Sequence, residues 1–378
     1  MTINVHSPHA AEARIYSESA WDVVSGLDPW VCSSLLQKAI RRSDIELAVA
    51  AGLRLHQLRG AAIWSRLLLI TVEDIGIASP SALSLAVQIA KMTRGQPKGD
   101  VIGTLARLIE TLALTPKCRC SDYLVSATYS HTRFEKEHCL VGRQTIDERI
   151  ALSVDPSQPI VTRALAAWFA SGLNWSDESR VGTGNLSALM SDFAQAGVPE
   201  EFLFDVAYAC ERTRHPIAIM LPVLWMAAHS PDNSSAPRVN DFAVLPSPAI
   251  RGVPAYAYDK HTYAGKAAIG RLAAENAQVA NVLSKWTPDF RARDAAAMAA
   301  FYVDAIPVRP HFIWQGSADL ERLGREADFL HAGFPIEGIE ELVEAVSANI
   351  GHLNELRSER VLEGSKKNSK SKVASHGA

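Results

Sequence analysis

The sequence has little of several features that mark particular classes of protein. Its 378 residues include only 5 cysteines, unevenly spaced, which argues against a disulfide framework. The longest apolar run, 216–228, has 13 residues, whereas a helix that crosses a bilayer needs about 20. The first 22 residues lack the basic start and apolar segment of a secretion signal. We therefore expect a cytoplasmic protein without a membrane partner.

An excess of positive charge is also lacking. The chain has 38 lysine and arginine residues against 41 aspartate and glutamate residues, a formal net charge of -3. Domains that bind nucleic acid through their overall field are strongly basic. Any contact of this protein with DNA must therefore come from a local patch. The 48% of hydrophobic residues is enough for folded cores, and the length suits roughly two domains.

No familiar catalytic or nucleotide-binding motif is present. A Walker A loop requires Gly-x-x-x-x-Gly-Lys-Ser/Thr, because its backbone amides hold phosphate and its lysine and hydroxyl serve the phosphates and the metal. The nearest match is Gly265-Lys266, where Lys260 replaces the first glycine and Ala267 replaces the hydroxyl residue. Neither a Gly-x-Ser-x-Gly elbow nor a His-Glu-x-x-His helix occurs. We therefore predict no cofactor and no nucleotide hydrolysis, and we favour a non-catalytic protein.

One group of residues has the chemistry of zinc ligands. Cys118 and Cys120 are followed by His131, His138 and Cys139, and zinc is bound by thiolates and imidazoles. The spacing does not fit a familiar zinc finger, since two ligands one residue apart point in different directions on a helix. Buried structural cysteines are the favoured interpretation, and zinc binding stays open as the alternative.

The spacing of apolar residues predicts an all-α fold. From Ser33 to Thr115, apolar residues recur every three to four positions in five segments, which leaves no room for a sheet. Ser43–Glu46 has the pattern of a capping box at the start of the second helix. Gly76 is expected to close the third helix, and Ser79-Pro80 to begin the fourth. A multi-helix bundle is therefore predicted.

Changes in composition along the chain suggest five regions. Prolines are concentrated between residues 230 and 254, and the last residues are rich in lysine and serine. The predicted regions are an N-terminal arm (1–30), a helical bundle (31–128), a helical insertion with a proline-rich connector (129–249), a C-terminal helical region (250–364) and a disordered basic tail (365–378).

Three segments carry a resemblance to a known family. They are Gln37–Asp44, Val72–Leu83 and Leu112–Lys117. A fourth segment, Val253–Lys266, shows a weaker similarity. In this order they resemble the C-terminal helical oligomerisation region of the RarA family. These AAA+ ATPases include the Werner-helicase-interacting proteins and are related to clamp loaders. The region that resembles the family, 36–117, covers about a quarter of the chain.

The resemblance implies a collar-like bundle and a setting in DNA replication or repair. In the family this region follows an ATPase module, whereas the chain before Leu36 is too short to hold one. The 137 positions from Pro116 to Val253 are more than the family pattern leads us to expect, which indicates an insertion. We therefore expect a non-catalytic assembly factor that forms a homo-oligomer or joins a separate ATPase or replication protein.

Two adjacent acids in the second of these segments need cationic partners. Glu73 and Asp74 lie near a predicted helix C-terminus, where the helix dipole disfavours negative charge. Arg41, Arg42 and Arg66 are the predicted partners in a structural ion-pair network. The alternative is a bound Mg²⁺. Neighbouring helical positions point about 100° apart, so two adjacent acids are poorly placed to share an ion, and no metal is predicted.

A second polar cluster lies in the segment of weaker similarity, Val253–Lys266. Lys260, His261, Tyr263 and Lys266 are predicted to contact nucleic acid, with the lysines on phosphates and the tyrosine stacked on a base. The alternative is a nucleic-acid-acting enzyme with Asp259, Lys260 and His261 as its acid/base group. A third interpretation is a polar loop packed on the bundle, in which His261 bonds a buried carbonyl.

Overall fold

A computed structural model describes residues 18–93, 100–174 and 181–374, with side chains as far as residue 364. Over these residues the prediction of an all-α fold is confirmed. The described chain forms nineteen α-helices, and its four strands are only two or three residues long. Short π-helical and 3-10 turns join several of the helices. None of the helices described is both long and apolar enough to pass through a membrane.

The region that carries the family resemblance forms the first part of the bundle. Its helices are α1 (Glu18–Val24), α2 (Pro29–Arg41), α3 (Ile45–Arg59), α4 (Ala62–Ile70), α5 (Pro80–Met92), α6 (Val101–Leu114) and α7 (Cys120–Ser130). A π-helical turn, Thr71–Ile75, and a 3-10 turn, Gly76–Ala78, connect α4 to α5. Helix α2 packs on α3, and α3 packs on α6. Their apolar faces are fully buried between them.

Residues 129–249 add six helices to the same core. They are α8 (Glu135–Arg143), α9 (Ile146–Val154), α10 (Ile160–Ser171), α11 (Leu186–Gln195), α12 (Glu200–Thr213) and α13 (Met220–Ala228). Trp168 of α10 is fully buried, and α10 packs against α7, α9 and α13. The apolar side chains of this segment belong to one cluster with those of α2 to α7. The expected insertion is therefore part of the first core rather than a separate fold.

The remaining elements form a second helical layer with one short hairpin and one pair of strands that are distant in sequence. They are β1 (Arg238–Asn240), β2 (Ala249–Ile250), β3 (Val253–Pro254), α14 (Tyr263–Glu275), α15 (Ala277–Trp286), α16 (Asp289–Asp304), β4 (His311–Ile313), α17 (Ser317–His331), α18 (Ile339–Ala348) and α19 (Ile350–Ala374). Strand β1 pairs antiparallel with β4, and β2 pairs antiparallel with β3. The proline-rich connector thus includes strand residues, which the sequence pattern did not predict.

A second apolar core lies among these C-terminal helices. It extends from Ala268 to Leu356 and is formed by side chains of α14 to α19. Helix α17 belongs to both cores, because Leu320 and Leu323 are buried in the first and Phe329 in the second. Helix α17 also packs along α7. The two cores are therefore joined by a shared helix.

The helix ends predicted from the sequence are partly confirmed. Ser79 accepts a hydrogen bond from the Ala82 amide at 3.2 Å, with Pro80 at the first helical position, as predicted. Gly76 ends the π-helical turn with φ +53° and ψ -131°, so its φ is positive as predicted but its conformation is not the left-handed helical one. The predicted Ser43 cap is wrong. Asp44 caps α3 instead, because Ser43 adopts φ +56° and its hydroxyl bonds the Ala113 carbonyl at 2.7 Å.

The two ends of the chain are described only in part. The predicted N-terminal arm, 1–30, includes α1 and the start of α2, and residues 1–17 lie outside the described part. The disordered tail stays a prediction, and the backbone of α19 is helical to Ala374. Lysine favours helices and no proline interrupts this segment. Residues 375–378 lie outside the described residues.

Candidate functional site

Two adjacent acids meet two arginines that come from different parts of the chain. Arg41 of α2 places Nε 2.7 Å from Asp74 Oδ1 and Nη2 2.8 Å from Glu73 Oε1. Arg119, just before α7, places Nη1 2.5 Å from the same Asp74 oxygen and 3.3 Å from Glu73 Oε1. Asp74 is fully buried, and both arginine side chains are only 2% exposed. We call these four residues the ion-pair network.

The backbone that carries the acids is a π-helical turn rather than a regular helix. Within Thr71–Ile75, the carbonyl of Asp74 accepts a hydrogen bond from the Cys118 amide at 2.9 Å. A Cβ at Gly76 would lie 2.8 Å from the Cys118 carbonyl oxygen, so the two backbones meet closely. This approach brings Arg119, the next residue along the chain, to the acids.

Two of the three arginines predicted for the network are placed differently. Arg66 reaches it indirectly, because it donates to the Gln37 Oε1, and Gln37 Nε2 donates to Asp74 Oδ2 at 2.7 Å. Arg42 does not belong to it, and that assignment is corrected. Its guanidinium lies 4.5 Å from the centre of the Tyr256 ring and donates to the Asp304 carbonyl. Successive helical positions point about 100° apart, so the neighbour of Arg41 faces another surface.

Arg119 is the member of the network that the sequence did not indicate. It lies between Cys118 and Cys120, where the two cysteines suggested metal binding. It also contacts Asp122, one turn into α7. Its position two residues after the Leu112–Lys117 segment that carries the resemblance was the one available signal.

Burial and ion pairing act against each other on the carboxylates of this site. Burial raises the pKa of Glu73, but Arg41 and Arg119 outweigh it and bring that pKa down to about 2. Burial also raises the pKa of Asp122, and here it prevails over Arg119, with a pKa of about 7. Glu73 is therefore ionised at neutral pH, whereas burial moves the pKa of Asp122 upward.

A second buried ion pair joins α2 to the loop before α14. Lys38 Nζ lies 2.6 Å from Asp259 Oδ2, and both side chains are buried. Lys38 also donates to Ser34 Oγ at 2.7 Å. Burial raises the pKa of Asp259, but Lys38 and His261 lower it far below its ordinary range. The Asp259 carboxylate is therefore fixed in its charged form.

His261 is held by the same carboxylate. Its Nδ1 lies 2.8 Å from Asp259 Oδ2, and its backbone amide donates to Asp259 Oδ1 at 2.9 Å. The imidazole is 61% exposed. Asp259 therefore fixes the orientation of the ring and leaves Nε2 to face outward. The predicted Asp259–Lys260–His261 group is reduced to a pair, because Lys260 turns away.

Lys260 turns instead into a cleft of about 510 Å³ between α14 and α16. The charged side chains that line it are Lys260, Lys266, Arg291, Arg293 and Asp294, together with His331. Arg291 Nη1 lies 3.6 Å from Asp294 Oδ2, and Arg293 donates to the Lys266 carbonyl at 3.3 Å. Lysines and arginines thus exceed acids by three among these lining residues. We call this cleft the basic cleft.

The four residues predicted to contact nucleic acid therefore lie on different surfaces of the protein. Lys260 and Lys266 line the basic cleft. His261 faces a different cleft, which it lines together with Arg41 and Glu73. Tyr263 is 76% exposed, but its hydroxyl accepts from Arg360 of α19 at 3.0 Å. Arg291 and Arg293 were not predicted, because their segment resembles an ordinary exposed helix in sequence.

The cysteine and histidine residues considered for zinc are dispersed. Cys118 and Cys120 are buried, whereas Cys139 is exposed on α8. His131 Nε2 lies 3.0 Å from Glu326 Oε2, and His138 Nε2 lies 2.9 Å from the Thr128 carbonyl oxygen. Across residues 18–93, 100–174 and 181–374, no group of three or more His, Cys, Asp and Glu side chains is arranged to hold a metal ion.

Comparisons of the chain with protein-family models, with curated proteins and with solved structures found no match. A functional proposal must therefore come from the residues of the protein itself.

Proposed function

We propose that the protein is a non-catalytic helical assembly factor of DNA replication or repair. In this proposal it self-associates or joins a separate ATPase or replication protein, and it contacts DNA through the basic cleft. The observation that carries the proposal is the cleft, which concentrates positive charge on a chain whose formal net charge is -3. The proposal also draws on the resemblance of residues 36–117 to a family of replication-associated ATPases.

The composition of the cleft favours phosphate as the contacted group. Lys266, Arg291 and Arg293 are exposed, so a DNA backbone has access to them. Among the described residues, Lys266 has no acidic side chain within 4.0 Å of its ammonium group. Contacts with phosphate release counterions and give sequence-independent binding that weakens as salt rises. The basic cleft is therefore suited to hold DNA without reading its sequence.

Exposed apolar side chains support the assembly part of the proposal. Phe204 of α12 is 68% exposed, Leu140 of α8 is 64% exposed and Phe290 of α16 is 79% exposed. Large exposed apolar groups are common at protein–protein contacts. Phe290 lies next to Arg291 of the basic cleft, so an apolar and a basic contact adjoin there.

DNA binding is tested by fluorescence anisotropy with a labelled oligonucleotide at several salt concentrations. The double variant Lys266→Glu/Arg293→Glu is expected to bind at least tenfold more weakly. The double variant Lys266→Ala/Arg293→Ala should lower the slope of log K against log salt by roughly 1.5 to 2, the value for two lost phosphate contacts. The matched control is Lys136→Glu/Arg143→Glu, two exposed basic residues of α8. Equal affinities for the cleft and control variants would contradict the proposal.

Assembly is tested by purification of the tagged chain from its native host, followed by mass measurement of the complex. A homo-oligomer, or a complex with an ATPase or polymerase component, is expected. A stable monomer without either partner would contradict this part of the proposal. DNA binding and assembly are measured separately, so either can fail alone.

A second candidate function, a nucleic-acid-acting enzyme, is favoured by the pair Asp259 and His261. A carboxylate that orients an exposed imidazole is a common arrangement for a general base. Lys260 does not complete the group, since its Nζ lies 4.6 Å from the centre of the Phe301 ring. The variant His261→Ala separates the candidates. An enzyme should lose turnover on a nucleic-acid substrate while it stays folded, whereas an assembly factor should keep its oligomeric state and partner.

A further inference from the structure

The ion-pair network forms one wall of a separate cleft of about 370 Å³, which we call the network cleft. It is lined by Trp30, Ser33, Ser34, Gln37, Lys38, Arg41, Arg66, Glu73, His261 and Phe301. Its volume is in the range of small-molecule sites, about 300 to 1,000 Å³. Helix α2 contributes most of its wall, and α4 with the π-helical turn, the loop before α14 and Phe301 of α16 complete it. The cleft therefore brings together residues of four distant segments.

One cation of this cleft has an incomplete set of partners. Arg41 and Lys38 are each paired with buried carboxylates. Arg66 has no carboxylate within 4.0 Å among the described residues, and it donates only to Gln37. Its Nε is buried without a hydrogen-bond acceptor. A buried donor without an acceptor is costly, and a guanidinium matches the geometry of a phosphate group. Arg66 is therefore a suitable anchor for one phosphate.

Two other polar groups of the cleft can make a further hydrogen bond. Glu73 accepts both arginines through Oε1 and also interacts with Gln37, and a carboxylate with two oxygens can still accept from a hydroxyl group. His261 is fixed through Nδ1, so its Nε2 can exchange a hydrogen bond with phosphate. One unpaired cation, one carboxylate oxygen and one imidazole nitrogen suit a ligand with a single phosphate and neighbouring hydroxyls.

Aromatic side chains stand beside these polar groups. Trp30, in the first turn of α2, is 64% exposed, and Phe301 is nearly buried with its ring edge-on to His261. The Arg59 guanidinium lies over one face of the Trp30 ring, 5.6 Å from its centre, which leaves the other face of this exposed indole as the surface on which a base can stack. A base, a ribose with hydroxyl donors and one phosphate are combined in a nucleotide.

We propose that the network cleft binds a nucleoside 5′-monophosphate. The phosphate lies on Arg66 and His261, the ribose hydroxyls donate to Glu73 Oε2, and the base stacks on Trp30. The basic cleft plays no part in this site, so the proposal goes beyond the proposed contact with DNA.

The test is isothermal titration calorimetry of the full chain with adenosine 5′-monophosphate. Saturable binding to one site is expected. Arg66→Gln and His261→Gln should weaken it, by about tenfold or more for Arg66. Trp30→Ala should weaken binding of the nucleotide and leave binding of ribose 5-phosphate unchanged. Adenosine, which has no phosphate, should bind at least tenfold more weakly than the nucleotide.

The control is Lys136→Ala/Arg143→Ala on α8, which should keep the affinity of the wild-type chain. Absence of saturable binding would overturn the proposal, and so would an unchanged affinity in folded Arg66→Gln. If Trp30→Ala weakens both ligands equally, or neither, the assignment of the base to Trp30 is wrong. Trp30 and His261 are both largely exposed, so their variants keep the test valid if Arg66→Gln fails to fold. The DNA assay uses variants of the other cleft, so its failure and this one are distinguishable.

Discussion

At the scale of single residues, the buried charges of this protein are satisfied by partners that lie far away in sequence. Asp74 forms ion pairs with Arg41 and Arg119, which lie 33 and 45 positions away in sequence. Lys38 forms an ion pair with Asp259, 221 positions away. A buried ion pair adds little to stability compared with a packed apolar pair, but the loss of one partner leaves an uncompensated charge. Single substitutions in these pairs should therefore have large effects.

The first prediction separates Arg41 from its neighbour Arg42. Asp74→Ala and Arg41→Ala should each lower the free energy of unfolding by about 3 to 5 kcal/mol, because they leave charged partners unpaired in the core. Arg42→Ala loses only the contact with Tyr256 and carbonyl hydrogen bonds, so about 1 to 2 kcal/mol is expected. Urea unfolding of the variants measures the difference. Equal losses for Arg41 and Arg42 would show that the network is not as described.

The second prediction concerns the stability of the folded protein at low pH. The pKa of Glu73 is about 2 in the folded protein, below its ordinary value of 4.5, so folding favours the ionised form. The resulting stabilisation is fully present above about pH 4.5 and is lost as pH falls toward 2. Glu73→Gln should therefore remove about 1 to 3 kcal/mol at pH 6 and much less near pH 2.5. Urea unfolding at several pH values tests this, and Glu110→Gln, at an exposed glutamate of α6, should show no such change.

At the scale of elements, two turns determine where the charged side chains lie. The π-helical turn presents both acids, and the loop before α14 presents Asp259. That loop ends at Thr262, whose hydroxyl accepts from the Gly265 amide at 3.1 Å. Gly265 has no room for a side chain, since a Cβ there would lie 2.0 Å from the Asp259 carbonyl oxygen. The first turn of α14 thus packs directly against the loop it follows.

The third prediction follows from this contact. Gly265→Ala should move the Asp259 loop away from Lys38 and lower the free energy of unfolding by about 1 to 3 kcal/mol. Gly270→Ala, on the same helix, meets only the Arg293 side chain at 3.5 Å and should be neutral or up to about 1 kcal/mol more stable. Thermal and urea unfolding of the pair test the contact. A tolerated Gly265→Ala would contradict it.

At the scale of the whole molecule, the two cores are connected by many contacts, of which three stand out. Helix α17 contributes to both, Lys38 pairs with Asp259 at the start of the second layer, and Arg41 donates to the Ala305 carbonyl at 3.1 Å. The basic cleft lies between α14 and α16 of the second layer, whereas the network cleft lies between α2 and that layer. The two clefts are thus separate surfaces of a connected body.

The fourth prediction is that the two cores unfold together. Amide hydrogen exchange in low urea should give α10 of the first core and α16 of the second the same free energy of global opening. Lys38→Met should lower protection more in α14 and α16 than in α10, because it leaves Asp259 unpaired at the boundary. Lower protection of α16 in the unmodified chain would instead indicate two independently folding units.

The sequence by itself determined the helical class and many helix ends. These depend on the three-to-four spacing of apolar residues and on caps such as Ser79-Pro80, which act within one turn of helix. It also placed Glu73 and Asp74 where cations are needed. It did not show that α4 gives way to a π-helical turn, or that one stripe over 335–356 is divided between α18 and α19.

Only the tertiary structure decided which charges meet. The sequence favoured Arg42 as a partner for Asp74 and did not indicate Arg119, but the packing of α7 against the π-helical turn brings Arg119 to the acid instead. Likewise, packing separates Lys260 and His261, adjacent in sequence, into two clefts. The physical reason is that local propensity acts over a few residues, whereas ion pairs in a core depend on how whole helices approach each other.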